Sequence, residues 1–490
     1  MTVSNLAKKR LVTKSKPQQL APLRFITCGS VDDGKSTLIG RLLWDTKAVK
    51  QDQAERLHKD SQKGKGGLNL PEFALLLDGL QAEREQGITI DVAYRYFSTP
   101  KRTFIVADTP GHEQYTRNMA TGASTADLAV LLIDARIGIL EQTKRHAMIA
   151  SMMGISQFIL AINKIDLTDY DRQNFEKITT EFNKFALSLG ITDITAIPLC
   201  ALKGENVVEK ASDTMGWYDG PSLLETLELA TVRSKQSVGF RMPVQRVCRP
   251  NESFRGYQGS VAGGAVKPGD SVVILPSGRP ANVTKIVTFD LVRNAAVAGD
   301  AITLVLDRHV DVGRGDVISS IEARPATGFH FDANVIALCE NGIESGKRYW
   351  LKSSSRRQRV MVEPFSAIDL KSGQWQDIGS DIDSLALNNI GKVRLNFEEI
   401  AIFDSYQENR DTGSFILIDP DNNNTIAGGM ITGQTKDVVK IGDFNKDEEV
   451  VVLALSPKLA KKLQNSEVFA AIKDDVKQIT TTRSKFNKLI

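Results

Sequence analysis

The first half of the chain alternates short apolar runs with patterns of helical spacing. The runs that we predict as buried strands are Leu23–Cys28, Thr103–Asp108, Ala126–Ala135, Gln157–Asn163 and Ile194–Leu199. Helical patterns lie between them at Lys35–Leu43, Glu141–Met153 and Arg172–Leu189. Because such alternation builds parallel strands covered by helices on both faces, it predicts a doubly wound, mostly parallel α/β sheet over residues 23–235. Ligands of these sheets bind beyond the carboxyl ends of the strands.

The pattern changes after Lys235, where short runs of alternating polarity are separated by turns rich in glycine and proline. The first group of predicted strands is Arg241–Val247, Gly259–Val266, Ser271–Leu275 and Asn282–Phe289. A second group is Val335–Cys339, Arg359–Val362, Gly391–Phe397 and Ser414–Ile418. Many short strands with regular turn signals indicate small barrels. We therefore expect two all-β barrel domains, over residues 236–330 and 331–435.

The two ends of the chain lie outside these domains. Residues 1–22 carry four lysines and one arginine without an apolar run, so we predict a basic tail. Residues 436–490 form a charged C-terminal extension, in which Ser456–Ala471 is predicted as an amphipathic helix.

Composition and charge exclude several classes of protein. Lys+Arg 62 against Asp+Glu 59 gives a formal net charge of +3, which is too balanced for a chain built to bind nucleic acid. No stretch is long and apolar enough to span a membrane. The four cysteines are widely spaced, so a disulfide framework or zinc site is not expected. We predict a cytoplasmic protein with no nucleic acid or membrane partner.

A phosphate-binding motif follows the first predicted strand. Gly29–Ser36 (GSVDDGKS) fits the pattern G-x-x-x-x-G-K-[ST], whose glycines let backbone N–H groups point at phosphate oxygens. Lys35 is expected to place its charge on the β- and γ-phosphates, and the Ser36 hydroxyl to bind Mg²⁺. Thr37 opens the next helix, whose N-terminus favours an anion. The alternative is a glycine turn with an exposed lysine, and the motifs that follow in order argue against it.

Asp108–Gly111 (DTPG) is the second motif and begins where a predicted strand ends. We expect Asp108 to hold Mg²⁺ through water and the Gly111 N–H to contact the γ-phosphate. His112 comes next and is a candidate for orienting the attacking water, although a lone histidine is more often a plain surface residue.

Asn163–Asp166 (NKID) is the third motif, and we predict that Asn163 and Asp166 read the base. A carboxylate accepts two hydrogen bonds from the N1–H and N2–H₂ groups of guanine, whereas adenine presents no such pair of donors. Lys164 can lie along the base with its stem. On its own this motif is more often a surface turn, so the prediction depends on the other two motifs.

A threonine before the second motif is a further candidate. Thr89 lies in Gly87–Asp91 (GITID), where it can complete the Mg²⁺ shell when GTP is bound and leave after hydrolysis. The alternative is the start of an edge strand. Four histidines show no ligand spacing and receive no role: His58, His146, His309 and His330.

These motifs, followed by two β domains, resemble the translation-factor class of GTPases, such as elongation factor Tu, over about Leu23 to Thr435. Within that class the chain is similar to the family of large, GTP-binding subunits of bacterial sulfate adenylyltransferase. The segments that carry the closer resemblance are Thr27–Gly34 (TCGSVDDG), Leu42–Lys47 (LLWDTK), Leu77–Arg84 (LDGLQAER) and Asp108–Met119 (DTPGHEQYTRNM).

The resemblance adds residues to the site. Cys200–Lys203 corresponds to a motif that in such GTPases usually begins with Ser, whereas here it begins with Cys. The N–H of Ala201 would contact guanine O6. Val31 and Ile88 would form an apolar gate that limits His112. The resemblance implies catalytic roles for Lys35, Thr89 and His112 and Mg²⁺ binding by Ser36, Thr89 and Asp108. The full predicted GTP site is Gly29, Ser30, Val31, Asp32, Asp33, Gly34, Lys35, Ser36, Thr37, Asp108, Thr109, Pro110, Gly111, His112, Asn163, Lys164, Ile165, Asp166, Cys200, Ala201 and Leu202.

The resemblance also implies a division of labour. A small catalytic subunit of sulfate adenylyltransferase would make adenosine 5′-phosphosulfate and pyrophosphate from ATP and sulfate, driven by GTP hydrolysis on this chain in a heterodimer or higher assembly. The chain has neither a His-x-x-His pair nor a Ser-Gly-Gly-x-Asp-Ser loop. Gly342–Arg348 (GIESGKR) is one spacer short of a second phosphate loop, so we predict a β-turn and no fused kinase. Two alternatives stay open: an elongation factor carrying aminoacyl-tRNA, and a regulatory or assembly GTPase.

Overall fold

The computed structural model describes residues 20–49, 73–76, 89, 91–232, 238–251, 254–289, 291–369, 372–378, 384–435, 438–439 and 453–454. The chain divides into two compact units. The first comprises Met1–Lys235 with Ser366–Asp377 and Ala386–Ile390, and the second comprises Gln236–Phe365, Ile378–Leu385 and Gly391–Ile490. Within the described ranges, no helix has the length and apolar character needed to cross a membrane.

A six-stranded sheet forms the centre of the first unit. Its strands are β1 (Leu20–Cys28), β2 (Ala93–Ser98), β3 (Arg102–Asp108), β4 (Leu128–Asp134), β5 (Gln157–Asn163) and β6 (Asp193–Pro198). Their order is β2-β3-β1-β4-β5-β6, with β2 antiparallel and all other neighbours parallel. Every residue of β4 is buried, as expected for a strand covered on both faces. The predicted doubly wound, mostly parallel sheet is confirmed.

Helices cover this sheet and fix its loops. They are α1 (Lys35–Asp45), α2 (Thr116–Thr125), α3 (Glu141–Met152), α4 (Arg172–Ser188) and α5 (Leu223–Leu229). Short 3₁₀ turns lie at Phe73–Leu76, Glu113–Tyr115 and Ile165–Thr168. The Asp171 side chain caps α4, and Ser222 with Glu225 forms a capping box on α5. The inner face of α1 packs with residues of β1 and β3 in one buried apolar cluster.

The second unit begins with an antiparallel β domain. Its strands are β7 (Arg241–Pro243), β8 (Arg246–Asn251), β9 (Phe254–Ser260), β10 (Ala265–Val266), β11 (Ser271–Leu275), β12 (Arg279–Thr288), β13 (Leu291–Arg293), β14 (Ala296–Val297), β15 (Ala301–Leu306) and β16 (Val317–Ser320). The main sheet has the order β7-β16-β11-β12-β15-β9-β8, and its inward residues share one apolar core.

The last β domain is a closed barrel. Its elements are β17 (Ala326–Ala337), β18 (Ile343–Glu344), β19 (Arg348–Ser353), β20 (Arg356–Ile368), β21 (Trp375–Asp377), β22 (Ser384–Leu385), β23 (Ile390–Phe403), α6 (Arg410–Gly413), β24 (Ser414–Ile418) and β25 (Thr425–Gln434). The order β19-β24-β25-β17-β23-β20 closes because β19 also pairs with β20. A short pair, β26 (Val438–Val439) and β27 (Leu453–Ala454), follows. The two predicted all-β domains are confirmed.

A buried ion pair joins the two β domains within the second unit. The Arg241 guanidinium contacts Asp404, with Nε to Oδ2 and Nη2 to Oδ1 both at 3.0 Å. The Thr412 hydroxyl donates to Asp404 at 2.6 Å, and both members of the pair are buried. The carboxylate is therefore fully engaged, which a buried charge requires.

Two strand predictions in the first β domain were wrong. The predicted strand Arg241–Val247 is two strands, because after Pro243 the chain leaves β16 as its partner and from Arg246 pairs with β9. The predicted strand Gly259–Val266 is interrupted, because β9 ends at Ser260 and β10 begins only at Ala265, after Gly264 with a left-handed φ of 65°. The strand β17 begins at Ala326, so the predicted boundary 330/331 falls inside it. Ser345–Gly346 forms the turn predicted between β18 and β19.

Several predictions lie outside the described residues. They concern residues 1–19 of the tail, the segment Leu77–Arg84, Ile88 of the proposed gate, and the helix at Ser456–Ala471.

Candidate nucleotide site

The three motifs meet at one edge of the six-stranded sheet. β1 ends at Cys28, β3 at Asp108 and β5 at Asn163, and each motif begins at or just after its strand end. The parallel register pairs Thr27 with Asp108, so the ends of β1 and β3 are level. The sheet thus brings together segments that are far apart in sequence, at the edge where such sheets bind ligands.

Lys35 is the first residue of α1 and is buried despite its charge. Its Nζ donates to the backbone oxygens of Gly29 at 3.0 Å and Ser30 at 2.6 Å, so the side chain folds back across its own loop. Burial lowers the pKa of Lys35, and the nearby Asp33 and Asp108 oppose that effect. Since a buried cation is costly unless it is neutralised, the loop favours a highly charged anion against Lys35.

Two glycines of the motifs lie where other groups of the site approach the backbone closely. Gly34 has a φ of 94°, and a Cβ there would lie 2.5 Å from Asn163 Nδ2. A Cβ on Gly111 would lie 2.5 Å from Lys35 Nζ. The same Cβ would lie 3.0 Å from the backbone oxygen of Gly29, so the DTPG segment packs directly on the phosphate loop.

Asn163 connects three loops. Its Nδ2 donates to the backbone oxygen of Asp33 at 2.7 Å, and its Oδ1 accepts from the Ala201 N–H at 2.9 Å. From its buried position, Asn163 thus holds the phosphate loop and the Ala201 segment together. Its role in reading the base stays a prediction. The Ala201 N–H donates within the protein here, so its contact with guanine O6 stays a prediction.

Lys164 crosses above the phosphate loop. It has a left-handed φ of 59°, and its Nζ donates to the backbone oxygen of Asp32 at 2.5 Å and contacts Asp134 Oδ2 at 2.9 Å. Burial opposes ionisation of Asp134, but hydrogen bonds from Arg136 and Lys164 prevail and lower its pKa to about 2. Asp134 is therefore an anion that anchors Lys164. The sequence analysis missed it, although Asp134 lies at the end of a predicted strand.

The predicted base reader Asp166 lies beside Lys203 and Cys200. Asp166 Oδ2 is 3.2 Å from Lys203 Nζ. Burial, with a smaller contribution from Asp166, raises the pKa of the Cys200 thiol to about 12, so this side chain stays neutral. Leu202 is exposed, and its backbone oxygen accepts from Arg41 at 3.3 Å. Lys203 is a further residue that the sequence analysis left without a role.

The residues around the second motif differ in how firmly they are held. The Thr109 hydroxyl donates to the backbone oxygen of Thr27 at 2.6 Å, which fixes the start of the DTPG segment against β1. Asp108 and Pro110 are buried. His112 is half-buried, and its ring centroid lies 6.4 Å from that of Tyr115. Thr89 is half-buried, while the residues on either side of it lie outside the described ranges.

The oxygen donors that are present suit Mg²⁺. The Ser36 and Thr89 hydroxyls and the Asp108 carboxylate are hard ligands of the kind this ion prefers. In the part of the chain that the structure describes, no group of three or more His, Cys, Asp or Glu could hold a metal. Mg²⁺ at nucleotide sites takes only one or two protein ligands and completes its shell with phosphate and water.

His146 supports the phosphate loop from beneath, a role that the sequence analysis did not assign. It is fully buried on α3, and its Nδ1 accepts the Gly29 N–H at 3.2 Å. Burial, with Lys35 and Arg145 adding to it, lowers the pKa of His146 to about 3, so the ring is neutral and Nδ1 can accept. The contact spans 117 residues of sequence, and no local pattern signals it.

Two family models match the chain. The "Elongation factor Tu GTP binding domain" matches residues 22–233, which contain the site, and the "GTP-eEF1A C-terminal domain-like" family matches residues 330–432. The first match agrees with a site built for a guanine nucleotide.

Curated relatives match almost the whole chain. A protein of Rhizobium tropici named "Sulfate adenylyltransferase subunit 1" is 68% identical over 465 residues, covering 94% of this chain and 93% of the relative. A protein of the same name from Rhizobium meliloti is 67% identical over 469 residues, covering 96% and 93%. One from Tolumonas auensis is 50% identical over 442 residues, covering 89% and 92%.

Proposed function

We propose a mechanism on the premise that this chain belongs to the family of sulfate adenylyltransferase subunit 1. It is the GTPase subunit of a sulfate adenylyltransferase, and GTP binds in the domain that carries the three motifs. The name shared by its relatives favours this function over that of an elongation-factor-like carrier of aminoacyl-tRNA.

The name "subunit 1" implies a partner subunit. We propose that the partner is the small catalytic subunit, which forms adenosine 5′-phosphosulfate and pyrophosphate from ATP and sulfate in the cytoplasm. Its reaction is uphill, and GTP hydrolysis on this chain drives it. For this to work, the GTP- and GDP-bound states of the chain must differ in their affinity for states of the partner's reaction.

The observation that carries the proposal is the buried Lys35, held by two backbone oxygens of the phosphate loop. Its charge and the loop N–H groups would bind the β- and γ-phosphates of GTP. Ser36, Thr89 and Asp108 would hold Mg²⁺, which when bound neutralises developing charge on the phosphates. Asp166 would accept hydrogen bonds from guanine, and Lys164 would lie along its plane.

Hydrolysis would be assisted by His112. We propose that its ring orients the attacking water, and that the packing of Gly111 on Lys35 transmits loss of the γ-phosphate to the DTPG segment. α2 begins four residues after His112, so this change would reach a helix on the surface of the sheet.

The test is adenosine 5′-phosphosulfate formation by the purified chain together with its partner subunit, with and without GTP. The candidate partner is the product of a neighbouring gene that encodes a Ser-Gly-Gly-x-Asp-Ser loop. We expect a GTP-dependent rise in product that is lost with Lys35→Ala, while Lys184→Ala, an exposed lysine of α4, serves as the control. GTP hydrolysis without any effect on product would refute the proposed partner.

A further inference from the structure

A cluster of cations that form no ion pair with any described residue lies on the outer face of the C-terminal barrel. Side chains alternate between the two faces of a strand, so Trp350 and Lys352 of β19 share a face with Arg357 and Arg359 of β20. Their buried neighbours Leu351, Gln358 and Val360 point inward. The register pairs Trp350 with Arg359 and Lys352 with Arg357. We call Trp350, Lys352, Arg357 and Arg359 the tryptophan–arginine patch.

Trp350 holds two guanidinium groups in place. The Cζ of Arg357 is 4.3 Å from its ring centroid, and that of Arg359 is 5.1 Å away. Stacking on an aromatic ring fixes the plane of a guanidinium and leaves its N–H edge available. The patch therefore presents two ordered forks that suit carboxylates or phosphates.

The charges of the patch are not balanced within the described part of the chain. Lys352 and Arg357 are directly opposite each other, an arrangement of like charges that destabilises a sheet. No ion pair among the described residues involves Lys352, Arg357 or Arg359. By contrast, the neighbouring Arg348 and Arg356 contact Glu398 at 3.3 Å and Glu399 at 3.6 Å. Like charges face each other here without a counter-charge from the described part of the chain, which indicates that another molecule supplies the counter-charge.

We propose that the tryptophan–arginine patch is the docking surface for an acidic segment of the partner subunit. This inference rests on the proposed function, which requires such a partner. Three cations with a half-buried tryptophan and the exposed Ile416 opposite Lys352 suit a short peptide with carboxylates and an apolar side chain. The whole chain carries a net charge of only +3, which is too balanced for a protein built to bind an extended phosphate backbone.

The experiment measures the dissociation constant of the full chain and its partner subunit by calorimetry, at low and high salt. Arg357→Glu with Arg359→Glu should weaken binding at least about tenfold, and the salt dependence should fall. The control reverses the same number of charges on exposed cations of the other β domain, Arg279→Glu with Lys285→Glu, and should bind as the wild type does. A milder pair, Arg357→Gln with Arg359→Gln, should give an intermediate loss and guards against misfolding.

The outcomes separate this inference from the proposed function. Equal affinity for wild type, patch variants and control, with GTP-dependent product formation intact, would overturn the patch alone. If the wild type neither binds the partner nor raises product formation, the proposed function fails. Binding of a short RNA that is lost in the patch variants, with partner binding unchanged, would assign the patch to nucleic acid and overturn the inference.

Discussion

Replacing His146 with leucine tests how the phosphate loop is supported. The imidazole Nδ1 accepts the Gly29 N–H at 3.2 Å in a fully buried position. Leucine removes the acceptor and leaves that N–H without a partner, at a cost of about 1–3 kcal/mol. The loop of the variant can relax to hydrate Gly29, and GTP binding must reverse that relaxation. We therefore expect GTP affinity to fall about 5- to 150-fold.

The assay is a titration with a fluorescent GTP analogue, combined with denaturant unfolding to show that the variant is folded. His146→Gln keeps an acceptor and should recover part of the affinity. His309→Leu replaces an exposed histidine and should bind GTP as the wild type does. A folded His146→Leu protein with unchanged GTP affinity would refute the argument that His146 positions the loop.

His146 also gives the fold a dependence on pH. Its pKa is lowered from 6.5 to about 3 by burial first, then by Lys35 and Arg145. Below pH 6.5 the His146 ring is protonated in the unfolded chain but stays neutral in the native chain. The native state therefore loses stability as the pH falls towards 3. At about pH 5 this loss is about 2 kcal/mol. The wild type loses this stability at about pH 5 and His146→Leu does not. The difference between their free energies of unfolding should therefore be smaller by that amount at about pH 5 than at about pH 7.5.

Three further predictions concern other groups. Asp166→Asn replaces an acceptor with a donor and should shift base preference from guanine towards xanthine in a competition binding assay; an unchanged preference would remove Asp166 as base reader. His112→Ala should slow single-turnover GTP hydrolysis far more than it weakens GTP binding, and equal losses would contradict its proposed role. Arg241→Leu leaves the buried Asp404 carboxylate without its cation and should lower the free energy of unfolding of the second unit by about 3–5 kcal/mol. Joint replacement of Arg241 and Asp404 by leucine should cost much less, and an equal loss would show that the ion pair is not the cause.

The sequence predicted the strand ends of the nucleotide site well because they are marked locally. The apolar run Gln157–Asn163 gave the bounds of β5, and the helical pattern beginning at Lys35 gave the start of α1. The expectation that Thr37 opens this helix was wrong, since Thr37 is its third residue. Gly34 and Lys35 belong to the G-x-x-x-x-G-K-[ST] pattern that phosphate binding requires, so their place in the phosphate loop could be inferred from the sequence.

Contacts between distant segments could not be predicted in the same way. The His146–Gly29 hydrogen bond depends on how α3 packs beneath the loop, and the Asp134–Lys164 pair depends on the register of β4 and β5. The strand prediction for Arg241–Val247 failed at Val244, because the chain changes its strand partner there while the apolar pattern of the sequence continues. The pairing of Lys352 with Arg357 likewise requires the register of the β19–β20 hairpin.

The central claim is that GTP hydrolysis drives product formation and does not merely accelerate it. The most direct test is the end-point ratio of adenosine 5′-phosphosulfate and pyrophosphate to ATP and sulfate, reached by the complex of chain and partner. We predict a ratio with GTP well above the value reached without nucleotide, and no such rise with a non-hydrolysable GTP analogue. The same end-point under all three conditions, reached at different speeds, would contradict the account.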